Sequence, residues 1–140
     1  MPNFMFKIMS ALHIGLYRLT GGRIGGRMVG CEVCLLTTTG SKSGRSRTVP
    51  LLCFPEQEQM VVVASKGGSD KAPAWWTNLQ KNPSAEVEYK GAKKTMLARQ
   101  ASAAEKAKLW PMVVKRYAGY AEYQKKTTRE IPVVILEPSN

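Results

Sequence analysis

Residues 31–65 read CEVCLLTTTGSKSGRSRTVPLLCFPEQEQMVVVAS. Three runs rich in apolar and β-branched residues, Cys31 to Thr38, Arg47 to Phe54 and Gln59 to Ser65, alternate with two short breaks, Gly40-Ser-Lys-Ser-Gly44 and Pro55 to Glu58. Runs of that length and chemistry suit a pleated, half-buried surface, and the glycine, serine and proline between them reverse the chain. Connections this short join antiparallel neighbours. The stretch is therefore expected to be a three-strand meander. Further along, Ala85 to Tyr89 and Thr95 to Gln100 read as a hairpin around Lys90-Gly91, and Ile131 to Leu136 as a closing strand. About six mostly antiparallel strands leave edges that a closed or partly closed barrel removes. The expected fold class is α+β, a β-barrel with an N-terminal helix and further helices packed around it.

The helices follow from spacing. Met5, Ile8, Met9, Leu12, Leu16 and Leu19 form one stripe over residues 4–19, with Lys7, Ser10 and Arg18 opposite. Gly21-Gly22 stops that helix, and residues 21–30, with five glycines and two arginines, read as a flexible basic loop. Ala74 to Lys81 is a short helix ended by Asn82-Pro83. Ser102 to Arg116 is helical, with Ser102 as N-cap and Glu105 completing a capping box. Tyr117 to Lys125 is a second short helix. With no repeat and no low-complexity linker, residues 1–30 form a helix and basic loop ahead of one barrel domain, residues 31–140.

Composition narrows the functional classes. The chain has 140 residues, 44% hydrophobic and 22% charged, which suits one globular core and excludes disorder. The longest apolar run is Met60 to Ala64, too short to cross a bilayer. No cleavage-like site follows the N-terminal stretch, so a secretory signal is not expected. Three cysteines without framework spacing fit a reducing cytoplasm. Lys and Arg number 21 against 10 Asp and Glu, a net of +11. Residues 1–50 carry seven basic groups against the single acid Glu32. Such an excess points to nucleic acid, an anionic membrane surface or an anionic small molecule.

Several chemistries fail on spacing. On a strand Cys31 and Cys34 point to opposite faces, and His13 is the only histidine, so a zinc site is not expected. No nucleophile elbow or phosphate-binding Walker loop occurs, and His13 in the first helix is a poor triad member. An enzyme of this composition would rely on a bound cofactor. The strongest local candidate is Thr37 to Arg47, where hydroxyls, two glycines and three cations lie between two strands. Exposed backbone N–H groups and cations there suit a phosphate, and equally a solvated cationic hairpin. Ser65-Lys66-Gly67-Gly68 is a second such element. Adjacent Trp75 and Trp76 are not expected to share one core from a helix, which leaves one for a surface, a pocket or an interface. Tyr117, Tyr120 and Tyr123 span an arc of about 120° on one helix side, either a packed stripe or the lid of a planar-ligand pocket.

These elements, in this order, resemble the deazaflavin-dependent nitroreductase and quinone reductase family of actinobacteria, the group A coenzyme F-420-dependent reductases. The resemblance rests on Leu35-Leu-Thr-Thr-Thr-Gly-Ser-Lys-Ser-Gly44 with Arg47 and Pro50-Leu51, on Val62-Val-Ala-Ser-Lys-Gly-Gly68, and on Lys71-x-Pro73-x-Trp75 with Asn78-Leu79 and Asn82-Pro83. Trp110-Pro111, Tyr117-x-x-Tyr120-x-x-Tyr123-Gln124, Thr127 and Ile131-Pro132 complete it. It covers roughly residues 31–138. It implies a split β-barrel that uses reduced coenzyme F-420, a 5-deazaflavin. It further implies that Lys42, Ser43 and Arg47 hold the cofactor phosphate, that Lys66 adds a basic contact, and that Ala64, Ser65 and Trp75 lie near the ring. Tyr117, Tyr120 and Tyr123 match tyrosines that cover the substrate, a hydride acceptor such as a quinone, a conjugated lactone or a nitroaromatic. Leu52 stands where a nitroimidazole-activating member has tyrosine, and Ser41 replaces a cation. Proton delivery would come from Tyr120, Ser65 or solvent.

Residue chemistry alone keeps two rivals open. One is a basic barrel that binds single-stranded nucleic acid through stacked tyrosines; the other is a barrel enzyme that uses flavin mononucleotide. The resemblance selects the deazaflavin enzyme, with no nucleic-acid partner and no metal, as a monomer or homodimer in the cytoplasm. The N-terminal helix either packs on the barrel or contacts the inner face of the membrane.

Overall fold

The structure, a computed structural model, describes residues 3–23 and 25–139, with side chains from Ala11 onward. Helix α1 (Asn3–Leu19) leads into a short strand β1 (Arg27–Met28). The meander follows as β2 (Cys31–Thr39), β3 (Ser46–Glu56) and β4 (Gln59–Val63). A single 3₁₀ turn (Lys66–Gly68) and helix α2 (Ala74–Lys81) connect to the hairpin β5 (Ser84–Tyr89) and β6 (Ala92–Gln100). Helices α3 (Ala103–Arg116) and α4 (Gly119–Lys126) precede β7 (Val133–Pro138).

The strand order is β1-β2-β3-β4-β7-β6-β5, every pair antiparallel, and β5 pairs again with β2. Residues Leu35 to Thr37 face Glu88 to Glu86 across that last pair. Six strands therefore close into the expected split barrel, and β1 is an added edge. Basic residues 21–30 were expected to be loop throughout; Arg27 and Met28 instead pair with Glu32 and Cys31. Two residues give no alternating pattern from which a strand could be read.

Closure explains why β2, β4 and β7 are apolar without alternation. Cys34, Leu36, Met60, Val62, Val134 and Leu136 fill the barrel interior. Their neighbours Val61, Val63, Val133 and Ile135 pack outward with Phe54 and Val113 under α3 and α4. Both faces are covered, so both must be apolar. Cys31 belongs to the outer cluster and Cys34 to the inner one, as strand geometry requires. The capping box at Ser102 and Glu105 forms as read. The β5–β6 hairpin reverses at Lys90-Gly91, both left-handed, as a two-residue turn demands.

One expectation needs correction, and one reading left open is decided. Trp75 and Trp76 are both buried in the barrel cluster, at 7% and 6% exposure, with rings edge-to-face 6.4 Å apart. Helix α2 packs into the barrel cluster through one face that holds Trp75, Trp76, Asn78 and Leu79, while Ala74, Thr77, Gln80 and Lys81 are exposed; adjacent residues lie about 100° apart, so both tryptophans fit on that face. The leucine stripe of α1 does not face the barrel. Leu12, Leu16 and Leu19 are exposed at 64%, 46% and 84%, while Ile14 and Tyr17 pack on Val33, Leu35 and Leu52. Met5, Lys7, Ile8, Met9 and Ser10 have side chains outside the described residues. No helix among the described residues is long and apolar enough to cross a membrane.

Tyr17 fastens α1. Its buried hydroxyl shares its proton between the carbonyls of Val33 and Glu88 (3.1 and 3.2 Å) and accepts the N–H of Lys90 (3.2 Å). Burial pushes its pKa up to about 12. Tyr17→Phe keeps the ring and strips these partners, and should cost about 1–3 kcal/mol. Unfolded tyrosine ionises near pH 10, whereas the folded phenol holds its proton to about 12. The unfolded chain alone loses a proton in that window, so stability falls as pH rises from about 10 to 12. Urea melts from neutral to alkaline pH should show the parent losing stability more steeply than Tyr17→Phe.

Candidate active site

The β2–β3 turn forms one wall of a cavity of about 810 Å³. Lys42, Ser43 and Arg47 line it, and α1 supplies Ala11 and Ile14 opposite. The turn is braced internally: Gly40 N–H donates to Arg45 O (2.8 Å), Gly44 N–H to Gly40 O (2.9 Å), and Arg45 N–H to Ser43 Oγ (3.2 Å). It is braced from below by Asn78. This buried amide donates to Thr38 Oγ1 (3.0 Å) and accepts the Ser41 N–H (2.9 Å). Lys42, Arg45 and Arg47 are exposed and take part in no ion pair among the described residues. Unpaired cations on a rigid turn make an anion site.

A second cavity, of about 530 Å³, lies between the barrel and α4. Leu52, Ser65, Lys66, Trp75 and the three tyrosines line it, together with Met28 and Val29 from the β1–β2 turn. The cavities share Val49, Ala74 and Trp75, so they meet at the Trp75 ring. No carboxylate and no histidine lines either one among the described residues. His13 is engaged elsewhere, with Nε2 2.7 Å from Gly25 O. No cluster of three His, Cys, Asp or Glu suited to a metal ion occurs among the described residues.

The tyrosines form an edge-to-face cluster. Tyr120 lies 5.0 Å from Tyr117 and 6.3 Å from Tyr123, centroid to centroid. Tyr117 terminates α3 as its C-cap and Tyr123 sits on α4, yet their hydroxyls meet at 2.7 Å. That bond raises the Tyr117 pKa. Tyr120 is 4% exposed, and burial holds its phenol well above the ordinary range. Its hydroxyl has no hydrogen-bond partner among the described residues, and neither has that of Ser65, though no fully buried side-chain polar atom there lacks one. Both hydroxyls therefore open toward the cavity as neutral donors.

The structure thus brings the cofactor-side residues Lys42, Ser43 and Arg47 to one cavity, and Ser65, Lys66, Tyr117, Tyr120, Tyr123 and Leu52 to the other, with Trp75 between. Ala64 lines neither. It is fully buried in the barrel cluster, and its backbone binds Pro132 O (3.0 Å). Sequence reading missed the bracing role of Asn78 and the Met28–Val29 lip. Asn78 bonds residues 37 and 40 positions away in the chain. Val29 carries its signal only in backbone geometry: it is left-handed, at φ 45°, which is strained for a β-branched residue.

A barrel with a cationic turn leading to an apolar, aromatic slot that no carboxylate or histidine lines among the described residues suits an oxidoreductase built around an anionic, ring-headed cofactor. Residues 9–138 match the family model described as F420H(2)-dependent quinone reductase. An F420H(2)-dependent quinone reductase of Mycobacterium tuberculosis (strain ATCC 25618 / H37Rv) is 39% identical over 129 residues, covering 89% of this chain and 87% of the relative. A solved F420-H2 dependent reductase (FDR-A) superposes with a TM-score of 0.69 at 42% identity, covering 75% of this chain and 93% of that one. A structure described as a domain-swapped dimer gives 0.72 at 36% identity, covering 90% and 96%. The chain belongs to the F420H(2)-dependent quinone reductase family: it is an oxidoreductase whose cofactor is reduced coenzyme F420.

Proposed function

We propose that the chain reduces a planar, electron-poor acceptor, such as a quinone or a conjugated lactone, held between Trp75, Leu52 and the tyrosine cluster. The observation that carries this reading is the meeting of two chemically opposite cavities at Trp75. The cofactor fits that arrangement. Its phosphate and glutamyl tail suit the unpaired Lys42, Arg47 and turn N–H groups, and its aromatic head suits the apolar slot. When bound, the reduced deazaflavin supplies a hydride, two electrons together. The protein's own part is to stack the ring, exclude water and hold the acceptor at contact distance. Lys66 adds a cation at the slot. Tyr120, neutral and unpartnered, donates to the acceptor oxygen as charge develops there, and Ser65 is the second donor within the same slot.

Fluorescence titration of the purified protein with coenzyme F420 and with flavin mononucleotide tests the site. Binding of F420 at micromolar affinity or tighter, with much weaker flavin binding, is expected; tighter flavin binding would falsify the assignment. Lys42→Ala and Arg47→Ala each remove a charge-assisted contact, about 1.5–3 kcal/mol, and should weaken F420 roughly tenfold or more without unfolding. Unchanged affinity in both variants removes this turn from the site.

Steady-state assays with menadione test the acceptor side. Tyr120→Phe should lower kcat by about ten- to a thousandfold with cofactor affinity little changed. Tyr123→Ala should mainly raise KM, through lost stacking area. Leu52 leads us to expect weak turnover of bicyclic nitroimidazoles. If Tyr120→Phe reduces menadione as fast as the parent, the donor role is wrong.

We further propose a cytoplasmic protein that touches the inner membrane face through α1, with a homodimer as its associated form. Exposed Leu12, Leu16 and Leu19, with the exposed Arg23 just beyond the helix, support the membrane contact. The protein should sediment with phosphatidylglycerol vesicles and not with phosphatidylcholine. Replacing the three leucines by serine should abolish sedimentation, and a triple variant that still sediments removes α1 from the contact.

A further inference from the structure

The segment Ala64–Ser69 carries Ser65 and Lys66 into the slot, yet its backbone is poorly suited to hold itself. Lys66, Gly67 and Gly68 are left-handed in succession, at φ 44°, 63° and 85°. Only two local bonds close it, Gly68 N–H to Ser65 O (2.9 Å) and Ser69 N–H to Lys66 O (3.1 Å). A left-handed lysine persists only where the surroundings over-determine it. Those surroundings come from Arg129, 60 to 65 residues beyond the carbonyls it bonds. Its Nε donates to Ser69 O (2.8 Å), Nη1 to Ala64 O (3.2 Å) and Nη2 to Ser65 O (2.9 Å). No carboxylate among the described residues pairs with this guanidinium. An arginine whose hydrogen bonds all run to the carbonyls of one turn acts as a template for that turn.

Arg129 is in turn fixed to the acceptor helix. Gln124 of α4 donates to Arg129 O (2.8 Å) and accepts the Ile131 N–H (3.0 Å). The turn also abuts α4 directly: a Cβ on Gly68 would lie 2.8 Å from Tyr123 O. We infer that Arg129 is a positioning residue that locks the Ser65–Lys66 turn to the tyrosine-bearing helix α4, so that the cofactor side and the acceptor side of the slot hold one geometry. This deepens the proposed function and rests on it for its kinetic consequences.

The test uses Arg129→Ala, Arg129→Gln and Arg129→Lys in the full chain, with Gln as the milder change should Ala fail to fold. The first readout needs no cofactor: amide hydrogen exchange. Residues 66–69 should exchange at least tenfold faster in the Ala and Gln variants, while Val62 and Val134 in the barrel keep the parent rate. The second readout is kinetic. The F420 Kd and the menadione KM should rise together, each about tenfold, whereas Tyr123→Ala raises the menadione KM alone. Non-denaturing guanidinium should restore Arg129→Ala in both readouts, and Lys, which lacks the planar fork, should not substitute. Turn amides exchanging as in the parent, faster exchange spread evenly through the barrel, or unchanged Kd and KM each overturn the assignment. A parent protein that fails to bind F420 overturns the cofactor reading instead, and the exchange data then decide the role of Arg129 alone.

Discussion

Strand β2 is hydrogen-bonded along both edges, to β3 on one side and to β5 on the other. That double pairing turns a seven-stranded sheet into a closed barrel of six strands with one strand added. A barrel this narrow is filled by its own side chains and has no room for a ring-sized ligand. Cys34, Leu36, Val62, Val134 and Leu136, all fully buried, occupy it. The proposed binding therefore lies outside the barrel wall, where helices stand off from the strands. The two cavities are those gaps: one between the β2–β3 turn and α1, the other between β3, the turn after β4, and α4. Trp75 bridges them because the helix that packs into the barrel cluster also forms the partition between the gaps.

Charge is distributed to the same end. Arg18 pairs with Glu88, Lys90 with Glu32, Lys93 with Glu86, Arg99 with Glu105 and Glu137, Lys106 with Glu130, and Lys125 with Glu122. Most of these pairs are solvent-exposed and add little stability each. Their placement matters more than their strength. None of these carboxylates lines either cavity, so Lys42, Arg47 and Lys66 face the cleft without compensation. The net charge of +11 is an average over a molecule whose acids sit away from its binding side.

How much of this was legible depended on the range of the interaction. Strand runs, the Lys90-Gly91 reversal, the Ser102–Glu105 cap and the divergence of Cys31 from Cys34 are settled within a few residues, and the sequence showed them. The sharing of one core by Trp75 and Trp76 was misread, because residues about 100° apart still fit on the single buried face of α2; the pocket expected for one of them is found at Trp75, which lines both cavities. The stripe Leu12-Leu16-Leu19 left open which way α1 faces, and Tyr17 turns the other side to the barrel through hydrogen bonds to Val33, Glu88 and Lys90. On the site, the cationic turn and the tyrosines were visible as local concentrations of chemistry. Asn78 and Arg129 were not, since nothing around residue 78 or 129 announces the distant backbone groups they hold.

The two halves of the cleft must also respond differently to solution conditions. Lys42 and Arg47 are exposed, so their attraction for an anionic tail is screened by salt over a Debye length of about 8–10 Å. The slot around Trp75 and Tyr120 is mostly apolar with neutral donors, and Lys66 is its one lining cation among the described residues, so salt acts on it less. The phenol of Tyr120 stays protonated well past neutrality because burial raises its pKa. In the proposed function ionic strength therefore acts on cofactor capture through Lys42 and Arg47 more than on the acceptor's surroundings. Among the described residues no carboxylate or histidine lines the slot to impose a pH optimum between about 5 and 8. In the proposed function the chain supplies a largely apolar seat for two rings, braced by backbone-directed hydrogen bonds, those of Asn78 beneath the cationic turn and those of Arg129 behind the turn that carries Ser65.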